Sequence, residues 1–203
     1  MMDALLKAAL DEAMDPAGYR ADFEQHVADG TAPLPPGGGY SADYTKLNLA
    51  RSRRIEKTLR VLPHVKAALE RAPAQTWLVM TEMWCGDSAQ NLPVIIALAA
   101  LAPAIDVRIV RRDTHLELMD RYLTNGTRSI PKLIAFDAAG HACFTWGPRP
   151  AAAARLVLDN KTKPEAERLD KDALAEALHK WYATNAGADT QAELAELLGA
   201  CDR

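Results

Sequence analysis

Three cysteines, at positions 85, 143 and 201 of 203 residues, are odd in number and too widely spaced for a disulfide framework, and their scarcity fits a reducing compartment. Five scattered histidines form no H-x-x-x-H pattern, and no C-x-x-C accompanies them, so no metal site is expected. Charge of one sign is missing too: 24 basic against 27 acidic residues leave a net charge of −3, which gives no reason to expect a nucleic-acid partner. The longest apolar run, Val94 to Ala104, contains Pro103 and falls short of the roughly 20 apolar residues that cross a bilayer. The N-terminus has no basic region followed by an apolar stretch and a small-residue cleavage site. No membrane association and a cytoplasmic location are therefore expected.

The remaining composition, 49% hydrophobic and 25% charged, is that of a globular chain built around one core with extensions. Residues 1–30 read as two short helices, the second starting at Pro16, carrying Tyr19, Phe23 and Val27 on one stripe and ending at Gly30. The Pro- and Gly-rich segment 32–39 can hold neither helix nor central strand. A longer helix follows from Asp43, its expected cap, with Tyr44, Leu47, Ile55 and Leu59 on one face, and a further helical segment spans Val65 to Arg71.

From there strands and helices alternate. Thr76–Thr81 reads as a strand, Ala89–Leu101 as a helix, Asp106–Val110 as a strand and His115–Leu123 as a helix closed by Asn125-Gly126. Lys132–Phe136 and His141–Trp146, joined by a turn at 137–140, form a hairpin. A βαβ unit followed by a hairpin gives a mixed four-stranded sheet that needs helices on both faces. Three helical segments beyond Arg149 are expected to pack there, with a homodimer through the helical extensions as a further expectation.

Chemistry concentrates at Met83-Trp84-Cys85-Gly86-Asp87-Ser88, between the first strand and the helix that follows it. A thiol at a helix N-terminus meets unpaired N–H groups and a partial positive charge, which favour the nucleophilic thiolate. That effect, about one pKa unit, is opposed by Glu82 and Asp87, and the expected outcome is a moderately acidified Cys85.

These features together resemble the thioredoxin-like superfamily. Trp84-Cys85-Gly86 matches the opening of its redox motif, Pro93 its helix proline, Ile130-Pro131 its active-site cis-proline and Gly147 the glycine after its last strand. Tyr44-Thr45-Lys46-Leu47-Asn48, Arg128-Ser129-Ile130-Pro131-Lys132 and Trp146-Gly147-Pro148-Arg149-Pro150 resemble, more narrowly, a bacterial subgroup with a helical N-terminal extension. The resemblance implies a three-layer αβα sandwich around a mixed four-stranded sheet, divided into a helical extension (1–73), a thioredoxin-like core (74–160) and C-terminal helices (161–203). It also implies catalytic roles for Cys85, Ser88 and Pro131, and substrate contacts from Trp84, Gly86, Asp87, Arg128 and Ile130. Arg128 is expected either to hold an anionic group, to pair with Asp87, or to remain solvated.

Two departures bear on activity. Ser88 stands where the superfamily carries its second cysteine, and Val79 where it carries a buried acid. Cys143 lies about 13 Å along the hairpin and reads as a sheet or core residue, while Cys201 lies in a terminal segment. The chain is thus expected to be a monothiol thiol–disulfide oxidoreductase acting on a protein or low-molecular-weight disulfide. It would need an external thiol such as glutathione to release the product, and no bound cofactor or metal. The alternatives are a non-catalytic peptide- or protein-binding module and a glutathione-ligated iron–sulfur dimer.

Overall fold

The computed structural model describes residues 4–202. A four-stranded sheet lies at its centre: β1 (Gln75–Thr81), β2 (Ile105–Arg111), β3 (Lys132–Phe136) and β4 (Ala142–Trp146), in the order β2-β1-β3-β4. β1 runs parallel to β2 and antiparallel to β3, and β3 is antiparallel to β4, with Val79 opposite both Ile109 and Leu133. The expected mixed sandwich is therefore present.

The uninterrupted apolar run of β1 follows from burial on both faces. Successive side chains alternate sides, so Trp77 and Val79 join one core while Leu78 and Met80 join the other, and all four are inaccessible to solvent. The first core is completed by α5 (Gly86–Ala99) through Val94, Ile95 and Leu98, with α2 (Pro16–Asp29), α3 (Ala42–Thr58), α4 (Pro63–Leu69) and α9 (Ala188–Leu197) outside it. The second is closed by α1 (Ala4–Glu12) with Leu6 and Ala9, and by the short α6 (Leu116–Met119) with Leu118 and Met119. Burying each large aliphatic side chain stabilises the fold by roughly 1.5–3 kcal/mol relative to exposing it. Between α1 and α2, Met14 exchanges backbone hydrogen bonds with Ile109 (2.9 and 2.8 Å), which covers part of the free edge of β2.

Local signals explain the helix ends. Asp15 caps α2 by accepting from the Gly18 N–H at 2.6 Å, and Gly30 closes it in the left-handed conformation, φ 68°. Ser41, rather than the expected Asp43, caps α3 by accepting from the Tyr44 N–H. The helix expected over His115–Leu123 is shorter: a 3₁₀ turn at Arg112–Thr114 and the single turn of α6 precede a Thr124–Thr127 bridge around Asn125-Gly126, both with positive φ. An Asn-Gly pair supports a reversal so readily that the chain leaves the helix early.

Past β4, Gly147 adopts φ 109°, and a Cβ there would lie 2.2 Å from the Pro131 carbonyl oxygen, so only glycine lets the end of the hairpin approach Pro131 this closely. Then come α7 (Ala151–Thr162) and α8 (Lys171–Asn185), packed on each other through Ala153, Leu178 and Tyr182, and α9. A final 3₁₀ segment, Leu198–Asp202, returns to β4.

That return corrects the reading of the cysteines. Cys143 and Cys201 are joined in a disulfide, with Cα atoms 5.0 Å apart across 58 positions of sequence. Neither spacing nor count pointed to this pair, because tertiary packing alone brings the terminus beside β4. With two of three cysteines paired, cysteine usage carries no argument for a reducing compartment. Among the described residues, no helix is long and apolar enough to cross a membrane.

Candidate functional site

Cys85 is the N-cap of α5, and its sulfur accepts from the Ser88 N–H at 3.4 Å. Its S–H donates to the carbonyl of Ile130 at 3.2 Å, next to the cis Ile130–Pro131 peptide bond. Cys85, Ser88, Ile130 and Pro131 thus meet at one point between α5 and the start of β3. The residue is only 8% exposed, and it is the one unpaired cysteine among the described residues.

The expected acidified thiol is not what this environment produces. Burial, with the neighbouring charge of Asp87 added, pushes the Cys85 thiol up to about 11. The N–H groups of Ser88 and Asp87 oppose the rise, as does the nearby Ser88 hydroxyl, which meets no partner within hydrogen-bond geometry. Magnitudes decide the sign: a helix N-terminus lowers a thiol pKa by about one unit, whereas full burial raises it by up to about 3–5. Val79 lies in the core, so no carboxylate sits at that position to ionise the thiol.

Asp87 is held from three directions. The Arg149 guanidinium pairs with Oδ2 and the Tyr182 hydroxyl donates to Oδ1 at 2.7 Å. Asn91 Nδ2, on the same helix, donates to the Tyr182 oxygen and to the Asp87 carbonyl, both at 3.0 Å, and Thr190 Oγ1 donates to Asn91 Oδ1 at 2.8 Å. The network links α5, the 147–150 loop, α8 and α9. Burial works against the charge of Arg149, yet Asp87 outweighs it and raises the Arg149 pKa; burial and Asp87 together hold Tyr182 well above the usual phenol range.

Arg128 takes no part in this. Its guanidinium forms two hydrogen bonds to the exposed Asp120, at 2.6 and 2.7 Å, so the partner of Asp87 is Arg149. The reason is reach: the Asn125-Gly126 turn directs Arg128 back onto the end of α6 rather than toward α5.

Over the N-terminus of α5 lies a cleft of about 700 Å³. Its floor is Cys85, Gly86 and Asp87; Tyr40, Tyr44 and Trp84 form one wall, while Leu174, Leu178 and His179 of α8 contribute to another. The rings of Tyr40 and Tyr44 stack with centroids 4.6 Å apart, Tyr40 lies 6.1 Å from Trp84, and Lys171 Nζ sits 4.8 Å above Tyr40. Tyr44 Oη and His179 Nε2 are 3.3 Å apart, and Gln90 Nε2 lies 3.2 Å from His179 Nδ1. Gly86 passes directly under this pair: a Cβ there would come within 2.6 Å of Tyr44 Oη.

Trp84, Gly86 and Asp87 therefore line the cleft, as do Cys85 and Arg149, whereas Arg128, Ile130 and Pro131 do not. The sequence reading missed Tyr40, His179 and Tyr182. Tyr182 falls in one of the helical segments expected beyond Arg149, and nothing in the sequence separates its hydroxyl from a packing role.

Burial, reinforced by Arg51 and Arg54, lowers the His179 pKa to about 4. A depressed histidine pKa means the neutral ring suits the fold. Stability attached to it is complete above about 6.5, where the unfolded ring is also neutral, and declines as pH falls toward 4. An NMR titration is expected to show the His179 ring unchanged at pH 5.5; a ring already protonated at that pH would contradict the buried arrangement.

The comparisons agree with this geometry. A family profile described as thioredoxin matches residues 38–168. The chain belongs to this thioredoxin family. Among solved structures, it is similar to a Pseudomonas aeruginosa protein of unknown function, with a TM-score of 0.56, 21% identity and coverage of 93% of this chain and 99% of the other. It is also similar to an HIV epitope scaffold, with a TM-score of 0.58, 16% identity and coverage of 94% and 95%. At these identities the likeness concerns the fold. No curated protein matches the chain. This is a thioredoxin-fold protein with extra N-terminal helices and a single cysteine at the expected active-site position.

Proposed function

We propose that this thioredoxin-family protein performs monothiol thiol–disulfide exchange at Cys85. The carrying observation is the placement of its unpaired thiol on the floor of a cleft of about 700 Å³, at the N-cap of α5. In the first step Cys85–SH reacts with R–S–S–R′ to give Cys85–S–S–R and R′–SH, the leaving sulfur taking the proton. An external thiol such as glutathione then attacks the mixed disulfide, restoring Cys85–SH and leaving with R as a new disulfide. Ser88 supplies its N–H to the sulfur, Pro131 and Ile130 wall the thiol from behind, and Trp84, Gly86 and Asp87 face the incoming group. In this reading residues 1–73 contribute Tyr40 and Tyr44 of the aromatic wall, 74–160 Trp84 and the reacting corner, and 161–203 the α8 wall.

A slow but competent nucleophile is consistent with a thiol near 11. At pH 7 ionisation falls roughly 300-fold below that of a thiol with pKa about 8.5, while the more basic sulfur is roughly 10- to 20-fold more nucleophilic, for a net loss of about 20-fold. The same raised pKa favours a second reading, a binding module in which Cys85 serves as a buried donor to Ile130.

Mass spectrometry after incubation with oxidised glutathione at pH 8.5 separates the two. Exchange predicts one glutathione adduct on Cys85, released by added thiol and absent from Cys85→Ser. Failure of any small disulfide to label Cys85 over hours, while the denatured chain reacts readily, would leave only the binding module.

A further inference from the structure

We propose that the cleft selects a low-molecular-weight disulfide bearing an uncharged aromatic or branched aliphatic group, in preference to a protein disulfide. The chemistry rests on the exchange reading above; the binding does not. The first observation concerns where a polypeptide substrate would dock. An extended peptide needs free backbone donors and acceptors along its path. Ile130 is 5% exposed, its carbonyl accepts the Cys85 S–H, Pro131 is buried, and neither residue lines the cleft that opens above the sulfur. Approach to Cys85 lies instead between the Tyr40–Tyr44 segment and α8.

The second observation is the shape and lining of that approach. A volume of about 700 Å³ lies within the range of small-molecule sites, roughly 300–1,000 Å³. One arm of the cleft is apolar, formed by Val157 of α7 and by Leu174, Ala175 and Leu178 of α8, while the stacked Tyr40, Tyr44 and Trp84 form an aromatic flank that an aromatic group can meet edge to face.

The third is charge. Asp87 is neutralised by Arg149, His179 is neutral above about pH 4, and Lys171 donates to the Gly39 carbonyl at 3.4 Å and lies over Tyr40, with Asp172 beside it in sequence. The charged side chains of the lining, Asp87, Arg149, Lys171 and Asp172, are two of each sign and leave no net charge to favour an ionic ligand, so aromatic contact and apolar burial carry recognition. One half of the ligand occupies the apolar arm and places its sulfur at Cys85; the other half leaves as the free thiol.

The test compares rates of Cys85 modification in the full chain at pH 8.5 with 4,4′-dithiodipyridine, methyl methanethiosulfonate and a disulfide-bridged peptide, with N-acetylcysteine as the reference thiol. Relative to that reference, the ratio of the aromatic to the methyl reagent is expected to rise at least tenfold. Ala175→Trp, which fills the apolar arm, is expected to return the ratio to the reference value. Tyr40→Ala, which removes part of the aromatic wall, should act in the same direction and serves if the tryptophan variant does not fold. A ratio equal to the reference, ratios unchanged in the variants, or a peptide disulfide reacting as fast as the aromatic one would each overturn the assignment. If Cys85 accepts no sulfur from any reagent, the exchange reading fails, and calorimetry of Cys85→Ser with the unreactive 1,2-bis(4-pyridyl)ethane decides the cleft separately. Saturable one-to-one binding lost in Ala175→Trp sustains it, and the absence of binding overturns it.

Discussion

Alkylation of Cys85 by iodoacetamide is expected to accelerate tenfold per pH unit from pH 7 to about pH 10, with no plateau near neutrality. Cys85 is only 8% exposed, beside Asp87, and burial followed by that charge places its pKa at about 11. At pH 7 only about one molecule in ten thousand then carries the thiolate, against roughly 3% for a thiol of pKa about 8.5. Asp87→Asn should bend the profile. It removes the negative neighbour and leaves the buried Arg149 charge unopposed, both of which favour the thiolate, so the rate at pH 7 should rise several-fold. The same change weakens a buried pair, and a loss of stability should accompany the gain in reactivity. A wild-type rate that levels off below pH 8.5 would mean that the helix terminus outweighs burial. The thiol would then be the acidified nucleophile that the sequence leads one to expect.

That contrast shows what the sequence made legible. The apolar run Trp77–Met80, the alternation of strands and helices and the Trp84-Cys85-Gly86 corner all depend on neighbours within one or two turns of chain, and they place the sheet and the thiol correctly. The surroundings of Cys85 include Tyr40, 45 positions upstream, and α8, about 90 downstream, and no local pattern marks either as a neighbour of the thiol. The direction of the thiol shift was therefore misjudged because the only visible terms were the short-range ones. His179 and Tyr182 were hidden for the same reason: a polar residue on an amphipathic helix looks solvated until the element beneath it is known. Arg128 shows the converse, a basic residue near the site in sequence that a single Asn-Gly turn sends elsewhere.

Reducing the Cys143–Cys201 disulfide, or replacing Cys201 by serine, is expected to lower unfolding stability by about 4 kcal/mol while leaving the Cys85 site intact. The bridge closes a loop spanning 58 positions, and the chain-entropy relation gives about 4 kcal/mol for a loop of that size. This contribution lies in the unfolded ensemble. The native C-terminus keeps other anchors: Leu198 is buried in the main core and its carbonyl accepts from Gln75 Nε2 at 2.7 Å. Glu193 of α9 accepts from the Trp146 indole and from the Ala151 N–H, both at 2.7 Å, and Gln191 bonds the Leu62 N–H and the Arg60 carbonyl. With α9 pinned, Thr190 continues to support Asn91, and through it Tyr182 and Asp87. Urea unfolding with and without a phosphine reductant should therefore differ in midpoint, with a thermal shift of about 8–16 °C for a chain of this length, while the pH profile of Cys85 alkylation is superimposable. A change below about 1 kcal/mol would mean that the terminus is already constrained when the chain is unfolded. A simultaneous change in Cys85 reactivity would mean that α9 is not held by its hydrogen bonds alone, and that the disulfide reaches the thiol through Thr190 and Asn91.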